Sequence, residues 1–129
     1  MRTFYKNVFT LLATASALMM SQLSEAALNG TYTIDASQAA SATNYQNIAS
    51  ATRDLRGLSR TDGGAANGSG VSGPVVFKMK GTFNEKMDLF YVNGVSATNT
   101  ISFDGQGATT ITNGASFSAR HVVRFNDGA

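Results

Sequence analysis

The chain of 129 residues holds ten Lys or Arg, eight Asp or Glu and one His, with no Cys and no Trp. Arg2, Lys6 and Glu25 lie in the first 26 residues; beyond them eight basic and seven acidic residues remain, and a net +1 gives no electrostatic case for nucleic acid or an anionic membrane surface. The length admits one small domain, and the lack of cysteine excludes a disulfide scaffold.

Residues 1–26 read as a cleavable secretory signal. Arg2 and Lys6 form a positive start, Val8 to Met20 is an uncharged apolar run, and Ser24-Glu25-Ala26 puts small residues at the positions that a signal peptidase inspects. A spanning helix needs roughly 20 consecutive apolar residues, so the shorter run argues against the competing reading, an uncleaved anchor. No cysteine follows the run, which excludes a lipid-modified N-terminus. The mature chain is expected to begin at Ala27, to be secreted or displayed at the cell surface, and to make no membrane insertion after cleavage.

Leu28 to Asp35 alternates, with Tyr32 and Ile34 on one face and Thr31 and Thr33 on the other, as in a short strand. Ala36 to Ala42 is small and polar, a loop. Thr43 and Gln46 match a capping box, and Tyr45, Ile48, Ala49, Thr52 and Leu55 then recur at helical spacing. Gln46, Asn47, Ser50, Arg53 and Asp54 fall on the opposite side. This predicts an amphipathic helix over 43–56, stopped by Gly57, with Arg53, Arg56 and Arg60 on a solvated face. Ser59 to Gly73 reads as loop, and Thr61 to Gly70 within it as a mobile stretch able to bury little. Asn29-Gly30-Thr31 and Asn67-Gly68-Ser69 match the glycosylation sequon but carry little weight in a bacterial-type protein.

From Pro74, the single proline, five short strands are predicted: Val75–Met79, Met87–Tyr91, Thr100–Asp104, Thr109–Asn113 and Val122–Asn126. Glycine turns separate them. The first, third and fifth begin at 75, 100 and 122, steps of 25 and 22; the second and fourth begin at 87 and 109, a step of 22. Two interleaved sets with a near-common period suggest coils of one solenoid, each strand stacking on its counterpart one coil back. A meander of hairpins in a small sandwich competes, because Asn93-Gly94 and Asn113-Gly114 are legitimate hairpin turns.

Three phrases in order carry a likeness to a known family: Gly70-Val71-Ser72-Gly73-Pro74-Val75-Val76-Phe77, Gly81-Thr82-Phe83-Asn84-Glu85, and Ser96-Ala97-Thr98-Asn99-Thr100-Ile101. With the preceding strand and helix, residues 28 to 126 resemble the N-terminal segment of secreted bacterial proteins of the pectin-lyase-like type. The Gly- and Ala-rich insert before Gly70 departs from that family's pattern, in a loop. The resemblance implies a mainly β fold, a right-handed parallel β-helix of about two coils, with the helix capping its N-terminal end. The organisation it implies is a signal over 1–26, a strand, capping helix and flexible loop over 27–73, and the first coils over 74–129. Family members often carry many further coils and a C-terminal anchoring domain, and an array of this kind needs about three repeats for stability. The chain is therefore expected to be the N-terminal fragment of a longer surface protein, acting in adhesion, scaffolding or glycan contact, with extracellular polysaccharide or cell-surface components as partners.

An alternative is the start of a polysaccharide lyase or glycoside hydrolase whose site lies in downstream coils. Lyases of this fold typically use acidic calcium ligands and a basic proton acceptor, for which Glu85, Asp88 and Asp104 with Lys86 and Arg124 are the available groups. Ordinary solvent-facing charge is the plainer reading of them. Asp104-Gly105-Gln106-Gly107 lacks the alternating oxygen ligands of a calcium loop and reads as a turn. His121, the only histidine, makes no metal constellation, and neither Ser116 nor Ser118 sits in a nucleophile-elbow motif. Gly63-Gly64 is no phosphate loop. No catalytic, cofactor-binding or metal residue is assigned and no cofactor is expected. Phe77, Phe103 and Phe125 are expected at equivalent places on successive coils, as an internal stack or, facing outward, as a sugar platform. A free-standing small β-sandwich binding module is the third reading.

Overall fold

The computed structural model describes residues 27–113 and 121–126. The leader of residues 1–26 lies outside them, as do Gly114, Ser116, Phe117 and Ser118. In chain order the elements are β1 (Leu28–Asp35), β2 (Asn44–Tyr45), α1 (Ile48–Asp54), β3 (Val71–Lys80), β4 (Thr82–Asn84), β5 (Met87–Phe90), β6 (Ile101–Asp104), β7 (Thr110–Thr112) and β8 (Val123–Asn126). The protein is mainly β, with one short helix and parallel sheets.

The strands form three sheets: one ordered β2-β1-β3-β6, and two pairs, β4-β7 and β5-β8. Every named strand pair is parallel. Hairpin neighbours run antiparallel, so the glycine turns are corners and not hairpin loops. Along the chain β3, β4 and β5 lie one in each sheet, and β6, β7 and β8 visit the same sheets in the same order.

The expected two-set stacking is corrected here to three. The fifth predicted strand pairs with the second (Leu89↔Phe125), not with the third, and the fourth pairs with β4, which the sequence reading passed over. The repeat is also uneven. Partners run from 75 to 101, from 82 to 110 and from 87 to 123, separations of 26, 28 and 36. The cause is corner length. Gly81 alone separates β3 from β4, whereas residues 105–109 separate β6 from β7.

The core lies under β3, whose Val71, Val75, Phe77 and Met79 are buried while Ser72, Pro74, Lys78 and Lys80 face water. That alternation is the pleat of a strand covered on one face. Pro74 can stand within β3 because the β1–β3 register shifts between Leu28 and Gly30, and β6 pairs only from Val75 onward. Aromatic rings fill the first sheet's inner face. Tyr32 lies 5.7 Å from Phe77, Tyr45 lies 5.6 Å from Phe77 edge-on, and Phe77 stacks on Phe103 at 5.0 Å. Phe77 and Phe103 are thus the internal stack that was one expectation. Phe125 does not join it, since it pairs with Leu89 in another sheet and is 79% exposed.

The helix is shorter than its periodicity predicts. It starts after Asn47, whose side chain accepts from Ser50 N at 2.7 Å; Thr43 does not cap it. Asn44 and Tyr45 form β2 instead, because pairing with Thr33 and Ile34 drives the Tyr45 ring into the core. The helical face is rotated too: Ser50 and Asp54, read as outward, are fully buried. Gly57 does end the helix. At φ 70 it lets Gly57 N donate to Asp54 O and Leu58 N to Arg53 O, the paired bonds of a Schellman turn.

Candidate functional site

The two ends of this strand array are built differently. At the β2 end, a buried polar cluster hangs on Arg60, which was read as solvated surface but is only 7% exposed. Its guanidinium donates to Asp62 through Nε at 2.9 Å and a terminal nitrogen at 2.7 Å. It also donates to Ser41 O at 2.6 Å and Asn44 O at 2.7 Å, and lies 4.1 Å above the Tyr45 ring. Asp62 in turn accepts from Gln46 N at 3.0 Å and Gly64 N at 3.1 Å. Asn44 O and Gln46 N flank Tyr45 on the outer edge of β2, so the ion pair occupies the positions that a next strand would bond. A sheet edge left open is a template for foreign strands, and a charge pair across it removes the template.

Burial pushes the Asp62 carboxyl up, but Arg60 and the N–H groups of Gln46 and Gly64 outweigh it and bring the pKa down to about 2. Beneath this pair, fully buried Asp54 accepts from the Tyr45 hydroxyl at 2.7 Å, Asn67 N at 2.8 Å and Asn67 Nδ2 at 3.1 Å. Burial, with the Asp54 carboxylate second, raises the Tyr45 phenol far above its ordinary value. The 61–70 stretch expected to be mobile is therefore tied to the core at Asp62 and Asn67. The Asn67 amide also donates to Ala42 O at 2.8 Å, so that sequon nitrogen is engaged internally.

The acidic groups considered for chemistry do not converge. Glu85 caps the helix from another element: its two oxygens accept from Ile48 N at 2.9 Å and Ala49 N at 3.0 Å. Helices leave their first N–H groups unbonded and carry partial positive charge there, which a carboxylate satisfies on both counts. Asp88 faces its register partner Arg124, with Nε 3.0 Å from Oδ1, and His121 Nε2 lies 3.2 Å from the same oxygen. This cluster pins β8 to β5. Asp104 accepts from Gln106 N at 2.9 Å, the turn expected of it. Lys86 stands between β4 and β5, half-buried. No group of three or more His, Cys, Asp or Glu among the described residues could hold a metal ion.

The opposite end is apolar and open. A groove of about 590 Å³ runs between the C-terminal part of α1, β5, the 91–95 loop, β6 and β8, floored by Leu55, Met87 and Phe103. Phe125 is 79% exposed, Tyr91 72%, Val95 50% and Val123 42%, and all four line it. Strands β6, β7 and β8 are each the last of their sheet on this side among the described residues. On β8 the side-chain nitrogen of Asn126 is buried without an acceptor among the described residues. Compared with known proteins, the chain matches no family model, no curated protein and no solved structure. No helix among the described residues is long and apolar enough to cross a membrane. The site is thus an apolar face edged by strand backbone that pairs with no further strand among the described residues, suited to docking further β structure.

Proposed function

We propose that this chain is the N-terminal segment of an exported, cell-surface protein built as a right-handed parallel β-helix of the pectin-lyase-like type, acting in adhesion, extracellular scaffolding or glycan contact. One observation carries the reading. The strands recur in three parallel sheets, and among the described residues no further strand pairs with the outer edge of the last strand of each sheet, at the same apolar end. A column of this kind is blocked at its first rung by Arg60 and Asp62, and its last rung can take further strands. Its partners are extracellular polysaccharide or cell-surface components, met along the column. The alternative, a polysaccharide lyase or glycoside hydrolase acting through downstream coils, draws on no cluster among the described residues.

Export is tested by expressing the full chain with a C-terminal epitope in a Gram-negative host and fractionating the cells. The expected result is a product beginning at Ala27, outside the cytoplasm; a product that keeps residues 1–26 and stays inside overturns export. The column is tested by reading the encoding DNA past the codon for Ala129. More coils of strand and glycine turn support the segment reading, and an immediate stop codon overturns it.

A further inference from the structure

We propose that Asn93 is a site of spontaneous deamidation in the folded protein, and that its isoaspartate product loosens the 91–95 loop. The chain holds four Asn-Gly pairs, at 29–30, 67–68, 93–94 and 113–114. A glycine after asparagine leaves the following backbone nitrogen uncrowded, so it can close on the asparagine Cγ. The step balances with water alone. Gly94 N gives its proton to solvent base and bonds to Asn93 Cγ, the Cγ–Nδ2 bond breaks, and Nδ2 takes a proton and leaves as ammonia. Water then opens the five-membered imide at either carbonyl. One opening leaves an aspartate; the other reroutes the backbone through the side chain and leaves an isoaspartate.

The surroundings of each pair decide which one reacts. The Asn67 amide nitrogen donates to Ala42 O at 2.8 Å, the Tyr45 hydroxyl at 3.0 Å and Asp54 Oδ2 at 3.1 Å. Ring closure there must break these bonds, which slows it on the order of 100-fold. Asn29 lies within β1 with its side chain against Gly73, and Gly30 is held in register with Val75. Asn113 precedes Gly114, which is outside the described residues. Asn93 is exposed and outside the strands, and neither its side-chain amide nor Gly94 N makes a hydrogen bond among the described residues. The peptide group between Asn93 and Gly94 is also activated. Val71 N donates to Asn93 O at 2.9 Å, and a hydrogen bond to a carbonyl polarises its amide and makes the N–H a better acid. That bond holds the peptide plane while the exposed side chain swings onto it.

The product does not fit as the asparagine does. Residues 70–71 and 93–94 cross in contact: a methyl added to Gly70 would fall against Asn93 O, and one added to Gly94 against Val71 O. Gly94 also sits at φ 85, a conformation that only glycine takes without strain. An isoaspartate inserts one more backbone carbon at this crossing and adds a negative charge. The bond from Val71 N to Asn93 O is then lost, and with it the tie between the loop and the start of β3. Tyr91, Val92 and Val95 of this loop line the apolar groove, so the modification reaches that wall.

The test follows the full chain, purified after secretion, through incubation in mildly alkaline buffer. Fragment sequencing by mass spectrometry locates the ammonia loss, and an isoaspartate methyltransferase labels the rerouted product. Among Asn29, Asn67 and Asn93, Asn93 is expected to react first, on the order of 100-fold faster than Asn67, and the two rates are expected to converge in urea. Asn93→Gln, whose longer side chain closes a ring far more slowly, is expected to remove the label from that segment. Incubated wild type is expected to melt earlier than fresh protein, and incubated Asn93→Gln to melt with its own fresh sample. No label at Asn93, an earlier reaction at Asn29 or Asn67 in the folded chain, or a ratio of rates unchanged in urea each overturn the assignment. Labelled protein that melts with the fresh sample overturns the loosening of the loop.

Discussion

Replacing Arg60 by Met keeps an unbranched apolar stem against the Tyr45 ring and removes the guanidinium. Asp62 then keeps only the N–H groups of Gln46 and Gly64, in a site where its side chain is fully buried. Breaking a buried pair by removing one partner costs about 3–5 kcal/mol, because a charge is left without compensation. Domains of this kind are stable by about 5–15 kcal/mol in all, so the variant should be folded but visibly weakened. Urea unfolding followed by circular dichroism at pH 7 gives the number. A loss below about 1 kcal/mol would mean that Arg60 does not hold this end together.

The pH dependence supplies an independent check. In the native chain Asp62 titrates at about 2 against 3.8 unperturbed. A depressed carboxyl contributes stability that is complete above the unperturbed value and is lost as pH falls through the native one. The contribution here is no more than about 2 kcal/mol, and it disappears between about pH 4 and pH 2. Arg60→Met removes a lowering influence and leaves burial, so the pKa rises and this acid loss shrinks or reverses. The variant's deficit should therefore be larger at pH 7 than at pH 2.5. Asp35, held low by the Ser37 hydroxyl and N–H, titrates alike in both proteins and cancels in the comparison. A deficit unchanged across this range would refute the assignment of the pair. Adding Asp62→Asn should restore part of the loss at pH 7, since the stranded charge is then gone.

Glu85→Ala should lower stability by about 1–2 kcal/mol, read as a fall in Tm of several degrees, because two helix N–H groups lose their acceptor. Phe77→Ala should cost about 3–5 kcal/mol in urea unfolding, since the ring contacts Tyr32, Tyr45 and Phe103 together. Gly94→Ala should cost at least about 2 kcal/mol: the residue sits at φ 85, and an added methyl would fall against Val71 O, displacing the loop whose Asn93 O accepts from Val71 N. Thermal melts of the purified variant check it, and a melt unchanged from wild type would refute the packing given to this loop.

Much of the architecture was legible because alternation and turn chemistry are local. Leu28–Asp35 was bounded as found, each of the five later strands falls on a predicted segment, and in β3, β6 and β7 alternate residues face in and out. The pairing was less legible. Thr82–Asn84 follows β3 after one glycine and reads as its continuation, although that glycine turns a corner and starts a new sheet. The strand starts read from the sequence were spaced by 25 and 22, whereas paired strands in the three sheets are separated by 26, 28 and 36. The polar cluster was missed for a different reason. Arg60, Asp62 and Asn67 lie in a stretch whose glycines and alanines look like an unpacked linker. Their role depends on Ser41, Asn44 and Gln46, which are distant in sequence. Only the spacing Arg60-x-Asp62, followed by Gly63-Gly64, offered a local hint of a side-chain pair closed over a tight turn.

Burial falls from one end of the array to the other in a way that decides where recognition can occur. On β3 every second residue from Val71 to Met79 is buried; on β6 the matching Ile101 and Phe103 are half-buried; on β8 no residue is buried. The corner between the first and second sheets is also longer in the second circuit, residues 105–109 against Gly81 alone. A surface that closes itself at Arg60 and opens at Phe125 has a direction, and added β structure can bond only at the open side. The second circuit, β6 to β8, then offers Phe103, Ile111 and Phe125 in the three sheets as register positions for β structure that stacks on it. On the proposed function, contacts to a glycan or another cell would fall on outward residues of the strands, such as exposed Thr110 on β7.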